Sequence, residues 1–245
     1  MKRIFDLFAS AIGLLVAAPL LIPICFLIWL QDRHSPFYIA VRVGKGHRPF
    51  RMVKIRSMIV KADRTGVDST AGDDKRITPV GHLVRKLKLD ELSQLWNVLK
   101  GDMSLVGPRP NVPREVAMYT PEENRLLEIR PGITDISSIV FSDEGEILEG
   151  AKDPDLRYHQ IIRPWKSRLG LLYIENHNSF TDLKLIAFTV TNFLVRSWTL
   201  RQISGLVKTM DGDEELVFVA SRTRPLHEKA PPGLTEVVNL RGYSE

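Results

Sequence analysis

Ala9 to Leu30 reads ASAIGLLVAAPLLIPICFLIWL, 22 residues without a charge. As a helix the stretch runs about 33 Å, close to the hydrocarbon thickness of a bilayer. It is longer than the roughly 7–15-residue apolar core of a cleaved signal, and it lacks a convincing small-residue cleavage site. Two features argue against a plain span. Pro19 and Pro23 sit four apart in its middle, and each removes a backbone donor and crowds the preceding turn, so the helix is expected to bend or break there. Both flanks are basic, with Lys2 and Arg3 before and Arg33, Arg42, Lys45 and Arg48 after, which favours both ends on the cytoplasmic side. A bent, re-entrant helix satisfies both facts. On the residues alone, re-entrant and spanning remain equal alternatives.

Outward from this stretch the composition is globular: 245 residues, 44% apolar, 26% charged, formal net charge +5. That is enough chain for a proper core. A single cysteine excludes a disulfide framework and a cysteine-based zinc or iron–sulfur site. The mild basicity suits phosphate, nucleic acid or anionic lipid and selects none of them. There is no phosphate-binding G-x-x-x-x-G-K-[ST] loop, no dinucleotide-binding G-x-G-x-x-G after a strand, and no G-x-S-x-G elbow. Nothing resembles a helix-turn-helix or an RNA-binding aromatic pair, so no nucleic-acid partner is expected.

Pro36 to Ser57 alternates apolar and polar residues about Gly44-Lys45-Gly46, which predicts a β-hairpin. Period two puts Lys54 and Arg56 on one face. Val60 to Lys75 reads as a loop, and 78–88 as a short helix with a basic face. Asp90 to Gly101 predicts a helix with Asp90 as N-cap, a stripe of Leu92, Leu95, Trp96 and Leu99, and Lys100-Gly101 at its end. Further helices are expected at 121–129 and at 156–173 with a kink at Pro164, with a short strand over 139–141 between them. Leu183 to Val195 is an amphipathic helix, either in the core or on a membrane surface.

The chemistry concentrates at Asp90-Glu91. Adjacent acids at a helix start usually just complement the helix dipole. Here Arg85, Lys86 and Lys88 lie immediately upstream. Downstream, Arg109 and Arg130 each sit in a turn stiffened by proline and glycine, which suits fixed bidentate contact with phosphate or a structural ion pair. A carboxylate pair among cations can hold Mg²⁺ against phosphate oxygens, and a carboxylate can itself attack phosphorus.

Five ordered blocks carry more. They are Arg3-Ile4-Phe5-Asp6; Phe50 with Lys54-Ile55-Arg56-Ser57-Met58; Leu87 through Ser104 about Leu89-Asp90-Glu91-Leu92; Val106-Gly107-Pro108-Arg109-Pro110; and Arg130-Pro131-Gly132-Ile133-Thr134. Together they closely resemble the bacterial sugar transferase family, the monotopic phosphoglycosyl transferases acting on polyprenol phosphate, over about residues 1–195. The resemblance implies an α/β chain, mostly α with a small β-hairpin, in three parts. Residues 1–33 would be a re-entrant membrane helix broken near Pro19, 34–195 a cytoplasmic catalytic domain with interfacial amphipathic helices, and 196–245 a C-terminal extension. It implies a monotopic protein on the cytoplasmic face of a bacterial inner membrane. The implied reaction moves a sugar phosphate from a UDP-sugar to undecaprenyl phosphate with Mg²⁺ and releases UMP. Asp90 corresponds to the nucleophile and Glu91 to its partner near the metal, with Lys54, Arg56, Arg85, Arg109 and Arg130 as the cations for phosphates.

The chain departs from the commonest family pattern in three places. Asp135-Ile136 stands where many relatives have Gly-Trp or Gly-Leu, and Ala40 where they often have Gln. The extension has no counterpart in minimal members and reads as an oligomerisation element, compatible with a homodimer, or as a cover over the site. Two competing functions are an inactive membrane-anchored scaffold of the same fold and a basic peripheral protein that binds nucleic acid.

Overall fold

The computed structural model describes residues 2–62 and 70–239, so part of the 60–75 loop and the last six residues lie outside the described residues. The first element, α1 (Lys2–Asp32), is one continuous helix that contains both Pro19 and Pro23. The expected break is therefore not an interruption. Each proline withdraws one donor, but ending the helix in apolar surroundings would leave more backbone groups unpaired. Asp6, Ser10, Ala17, Ile24 and Ile28 form a narrow buried stripe, while Phe8, Leu15 and Val16 are 68%, 75% and 75% exposed. Its most apolar 18-residue window has a mean hydropathy of 2.7.

Both ends of α1 are tied to the same body. At the start, Lys2 pairs with Asp182 at 2.5 Å, and Arg3 donates to the carbonyls of Val98 and Leu99. Asp6 accepts from the Ser104 hydroxyl and the Leu105 amide. At the end, Asp32 takes a two-pronged contact from Arg56, at 2.5 and 2.7 Å.

The predicted hairpin is present, with β1 (Phe37–Val43) antiparallel to β2 (Pro49–Ile55) from Phe37 opposite Ile55 to Val43 opposite Pro49. Next, α2 (Pro79–Lys86) is capped by the Thr78 hydroxyl, which accepts from the Gly81 amide. The helix expected over 90–101 is split into α3 (Leu89–Leu92) and α4 (Leu95–Lys100). Asp90 is not the cap; Lys88 holds that position in the left-handed region, φ 49°. The split follows from side-chain hydrogen bonds that compete with the helix. Ser93 Oγ donates to Asp90 O and to Val53 O, and Asn97 accepts from the Val53 amide and donates to Arg51 O. The break also shifts the buried face, so Val98 is fully buried and Trp96 is exposed. Gly101, φ 94°, ends α4 as expected.

The two proline–glycine turns meet through β3 (Ser104–Val106) and β4 (Gly132–Thr134), a short parallel pair. A Cβ on Gly132 would lie 2.1 Å from the Gly107 amide nitrogen, so only glycine permits this approach. The chain continues through α5 (Pro113–Val116), a single tight turn over Glu123–Leu127 where a longer helix is expected, and then α6 (Ile136–Val140). The strand expected at 139–141 is thus helical, because Asp135 caps α6 by accepting from the Ser138 amide and hydroxyl-bonding Ser137. A three-residue apolar run carries no phase to choose between the two.

The remaining helices are α7 (Glu144–Leu148), α8 (Pro154–Arg157), α9 (Arg163–Asn176), α10 (Ser179–Leu194), α11 (Arg196–Thr209) and α12 (Glu214–Ser221). A π-helical turn, Tyr158–Ile162, joins α8 to α9, with Pro164 in the first turn of α9, so the expected kink lies just ahead of the proline. The main core gathers α6, α9, α11 and α12 around Trp165, Ile136, Leu169, Ile203 and Val207. The described part of the extension therefore belongs to that core rather than standing apart from it. Ala40 packs with Met52, Val98 and Met103 beneath the hairpin. On α10, Phe180, Leu183, Val190, Phe193 and Leu194 are all more than half exposed.

Candidate active site

The left-handed residue Lys88 swings the chain so that the first turn of α3 presents Asp90 and Glu91 to a cleft of about 720 Å³. The staples from Ser93 and Asn97 hold β2 alongside, which brings Lys54 Nζ to 2.9 Å from Asp90 Oδ2. The glycine-to-glycine approach of β3 and β4 fixes the 107–110 turn. Arg109 there donates to Ile133 O at 3.1 Å and pairs with Glu91 Oε1 at 2.9 Å. Arg85 reaches the same cleft from α2, its Nε donating to the Ser57 hydroxyl.

Of the residues expected at the site, Asp90, Glu91, Lys54, Arg85 and Arg109 come together. Arg56 and Arg130 do not. The ladder of β2 ends at Ile55, so the period-two rule stops short of Arg56, which is buried against Asp32 and the Ser35 carbonyl and anchors the end of α1. Arg130 donates to Gly101 O and closes the end of α4. Asp135 caps α6.

The cleft's electrostatics favour an ionised acid. Burial alone would push the Asp90 carboxyl up, but Lys54, then Arg85 and Arg109, outweigh it and hold it below the usual carboxylate value. Glu91 lifts the Arg109 guanidinium against the effect of burial. Burial pulls Lys88 down despite the acids beside it.

Among the described residues no group of three or more acidic, histidine or cysteine side chains is arranged for a metal. Mg²⁺ is commonly held by one or two carboxylates together with substrate phosphates. Two adjacent carboxylates opening on one cationic cleft fit that mode.

Sequence reasoning missed a second cavity, about 240 Å³, lined by Leu87, Leu92, Leu95, Ile133, Ile186 and Phe193 among others. Lys88, Glu91 and Ser138 line both cavities, so the two abut at Glu91, with Asp90 beside it on the polar side. The residues of the second cavity come from the α2–α3 junction, α3, α4, β3, β4, α6 and α10, and no local pattern connects them. Lys88 itself had a weak signal, a cation two residues ahead of Asp90.

The acid pair is braced by cations at the meeting of a polar cleft and an apolar cavity, in a chain whose first helix is long and apolar enough to cross a membrane. The chain belongs to the bacterial sugar transferase family, whose model matches residues 1–196. A putative undecaprenyl-phosphate N-acetylgalactosaminyl 1-phosphate transferase of Bacillus subtilis is 43% identical over 112 residues, 46% of this chain and 63% of that protein. An uncharacterized sugar transferase of the same organism is 35% identical over 80% of this chain and 88% of its own length. The UDP-glucose:undecaprenyl-phosphate glucose-1-phosphate transferase of Caulobacter vibrioides is 32% identical over 79% of this chain and 69% of its own.

Proposed function

We propose that the protein moves a sugar 1-phosphate from a UDP-sugar to undecaprenyl phosphate, releasing UMP, as the first membrane step in assembling a bacterial glycan. The observation that carries this reading is the placement of Asp90 and Glu91, braced by Lys54 and Arg109, where the polar cleft abuts the apolar cavity. The cleft suits a nucleoside diphosphate sugar, and the cavity suits the first part of a prenyl chain.

In this reading the Asp90 carboxylate, kept ionised by Lys54, attacks the phosphorus that bears the sugar. The bond from that phosphorus to the bridging oxygen breaks, and UMP departs with the electron pair. A phosphate oxygen of undecaprenyl phosphate then attacks the same phosphorus and displaces Asp90, leaving a sugar diphosphate lipid. Arg109 and Arg85 neutralise charge on the transferred group, the main contribution a protein makes to phosphoryl transfer. Asp90 and Glu91 would hold Mg²⁺ with the donor's phosphate oxygens, where it would neutralise further charge.

The tethering of both ends of α1 to one body supports a monotopic protein on the cytoplasmic face, with the exposed sides of α1 and α10 in lipid. Cysteines placed at Ile4 and Gln31 are then both shielded from an impermeant reagent added to the periplasm; labelling of either from that side contradicts the topology. The transfer itself is tested by UMP release from a panel of UDP-sugars with undecaprenyl phosphate and Mg²⁺. Release that persists undiminished in Asp90→Asn contradicts the assignment, and no release with any donor favours the inactive scaffold.

A further inference from the structure

Beyond α12 the described chain runs from 223 to 239 with no helix or strand, yet it is not loose. Its backbone carbonyls are taken up by side chains of α9 and of the turn before it. Trp165 Nε1 donates to His227 O at 3.1 Å, Arg168 Nη1 to Ala230 O at 2.8 Å, and Gln160 Nε2 to Val238 O at 3.0 Å. Thr120 Oγ1 donates to Pro232 O at 2.7 Å. Glu215 of α12 pairs with both His227 and Lys229, at 2.7 and 2.5 Å.

One bond runs the other way. The Lys229 amide donates to Gln160 O at 3.0 Å. In an unbroken α-helix that carbonyl would accept from residue 164, but residue 164 is proline, which has no N–H and whose ring crowds the carbonyl four residues back. The chain answers with the π-helical turn Tyr158–Ile162, closed by the Arg163 amide on Tyr158 O, and the Gln160 carbonyl is left for an outside donor. Lys229 supplies it. The same turn and the start of α9 carry Tyr158, Lys166 and Ser167 on the wall of the polar cleft. Lys166 lies over the Tyr158 ring at 5.5 Å and pairs with Glu144, another lining residue. Among the described residues, none of this stretch lines the apolar cavity.

We infer that the segment 226–238 is a positioning strap for the polar cleft: by completing the Gln160 carbonyl it fixes the π-helical turn, and through that turn the Tyr158–Lys166 wall that the donor meets. Gln160 and Lys229 act through this wall and are positioning residues. The bond is backbone to backbone, so it depends on an N–H at 229 and not on the lysine side chain. A carbonyl left open there costs free energy that the turn recovers by changing shape, and a shift of about 1 Å far from the chemistry can cost up to about 100-fold in rate. The effect on the reaction rests on the transferase reading; the docking of the strap does not.

The test pairs hydrogen exchange with kinetics on the full-length protein in detergent. In the wild type the Lys229 amide should exchange at least about 100-fold more slowly than in an unstructured chain. Lys229→Pro removes the donor, whereas Lys229→Ala keeps it. Lys229→Pro should speed exchange across 156–166 by about tenfold or more while α1 and α3 keep wild-type rates. It should also raise KM for the UDP-sugar about tenfold, with kcat and KM for undecaprenyl phosphate within about twofold of the wild type. Lys229→Ala should stay within about threefold of the wild type in every readout, because a half-exposed ion pair contributes little. Unprotected exchange at 229 in the wild type overturns the strap without any variant having to fold. Equal kinetic loss in Lys229→Ala and Lys229→Pro also overturns it, by assigning the effect to the side chain. A wild-type donor KM in Lys229→Pro, once exchange across 156–166 has risen, overturns the link to the cleft. If the wild type releases no UMP from any donor, the transferase reading falls, and exchange alone decides the strap.

Discussion

The two cavities that abut at Asp90-Glu91 are opposites built on one short helix. The polar cleft takes Lys54 from β2, Arg85 from α2 and Arg109 from the 107–110 turn, and every one of these is held by hydrogen bonds or ion pairs. The apolar cavity is walled mostly by leucine, isoleucine, valine and phenylalanine; its polar groups are Lys88 and Glu91 at the shared edge, Asn192, and hydroxyls such as Thr134 and Thr189, which bond each other at 2.6 Å. The contrast teaches that α3 works as a partition. Its one face meets charge, its other face meets hydrocarbon, and the left-handed Lys88 ahead of it lets a single turn serve both.

If the proposed transfer holds, its first half-reaction belongs to the polar side and its second to the apolar side, and the two can be separated experimentally. The largest effect is expected from Asp90→Asn, which should cut turnover by about 10⁴-fold or more with an unchanged circular dichroism spectrum. Turnover surviving in that variant would remove the polar cleft's central role. Next is Arg109→Ala, expected to lower kcat/KM for the donor by about 10²–10³-fold because a preorganised charge is lost and Glu91 is left unpaired. An effect on the lipid acceptor alone would place Arg109 on the wrong side of the partition.

Val190→Asp, on the wall of the apolar cavity, should raise KM for undecaprenyl phosphate by about tenfold, while donor-dependent UMP burst amplitude stays at the wild-type level. Equal loss in both steps would dissolve the distinction between the cavities. The smallest effect is a shift in pH dependence. Because the folded Asp90 carboxyl lies below its ordinary value of about 3.9, it stays ionised, and the first step should be level from pH 8 down to about 5. Its ion pairing likewise stabilises the fold above the unfolded pKa and is lost as pH falls through the depressed folded one. In Lys54→Met burial is less opposed, so the acid limb of the rate profile should move to higher pH. An unmoved limb would mean that Lys54 does not set the nucleophile's charge.

The two cavities also differ in how much of them the sequence exposes. Charge is a local signal, so Asp90, Glu91, Lys54, Arg85 and Arg109 stand out in the chain and do converge. Arg56 and Arg130 carry the same charge yet serve α1 and α4, because strand ends and helix ends are settled by tertiary hydrogen bonds. The hairpin was legible from its alternation, and the apolar helix from its length. The split between α3 and α4 was not, since it depends on Ser93 and Asn97 finding the edge of β2, some 40 residues away. The apolar cavity was hidden for the same reason, its walls being ordinary helix residues until the fold assembles them.

In the proposed reaction Asp90 carries the sugar phosphate between donor and lipid acceptor. The most direct measurement is the intact mass of the purified protein after incubation with Mg²⁺ and each of a panel of UDP-sugars, without lipid acceptor. The account predicts a mass gain of one sugar phosphate with the correct donor, absent in Asp90→Asn and discharged when undecaprenyl phosphate is added. Turnover with a donor that leaves no adduct on the wild type under rapid quench, or an adduct that persists in Asp90→Asn, would contradict it.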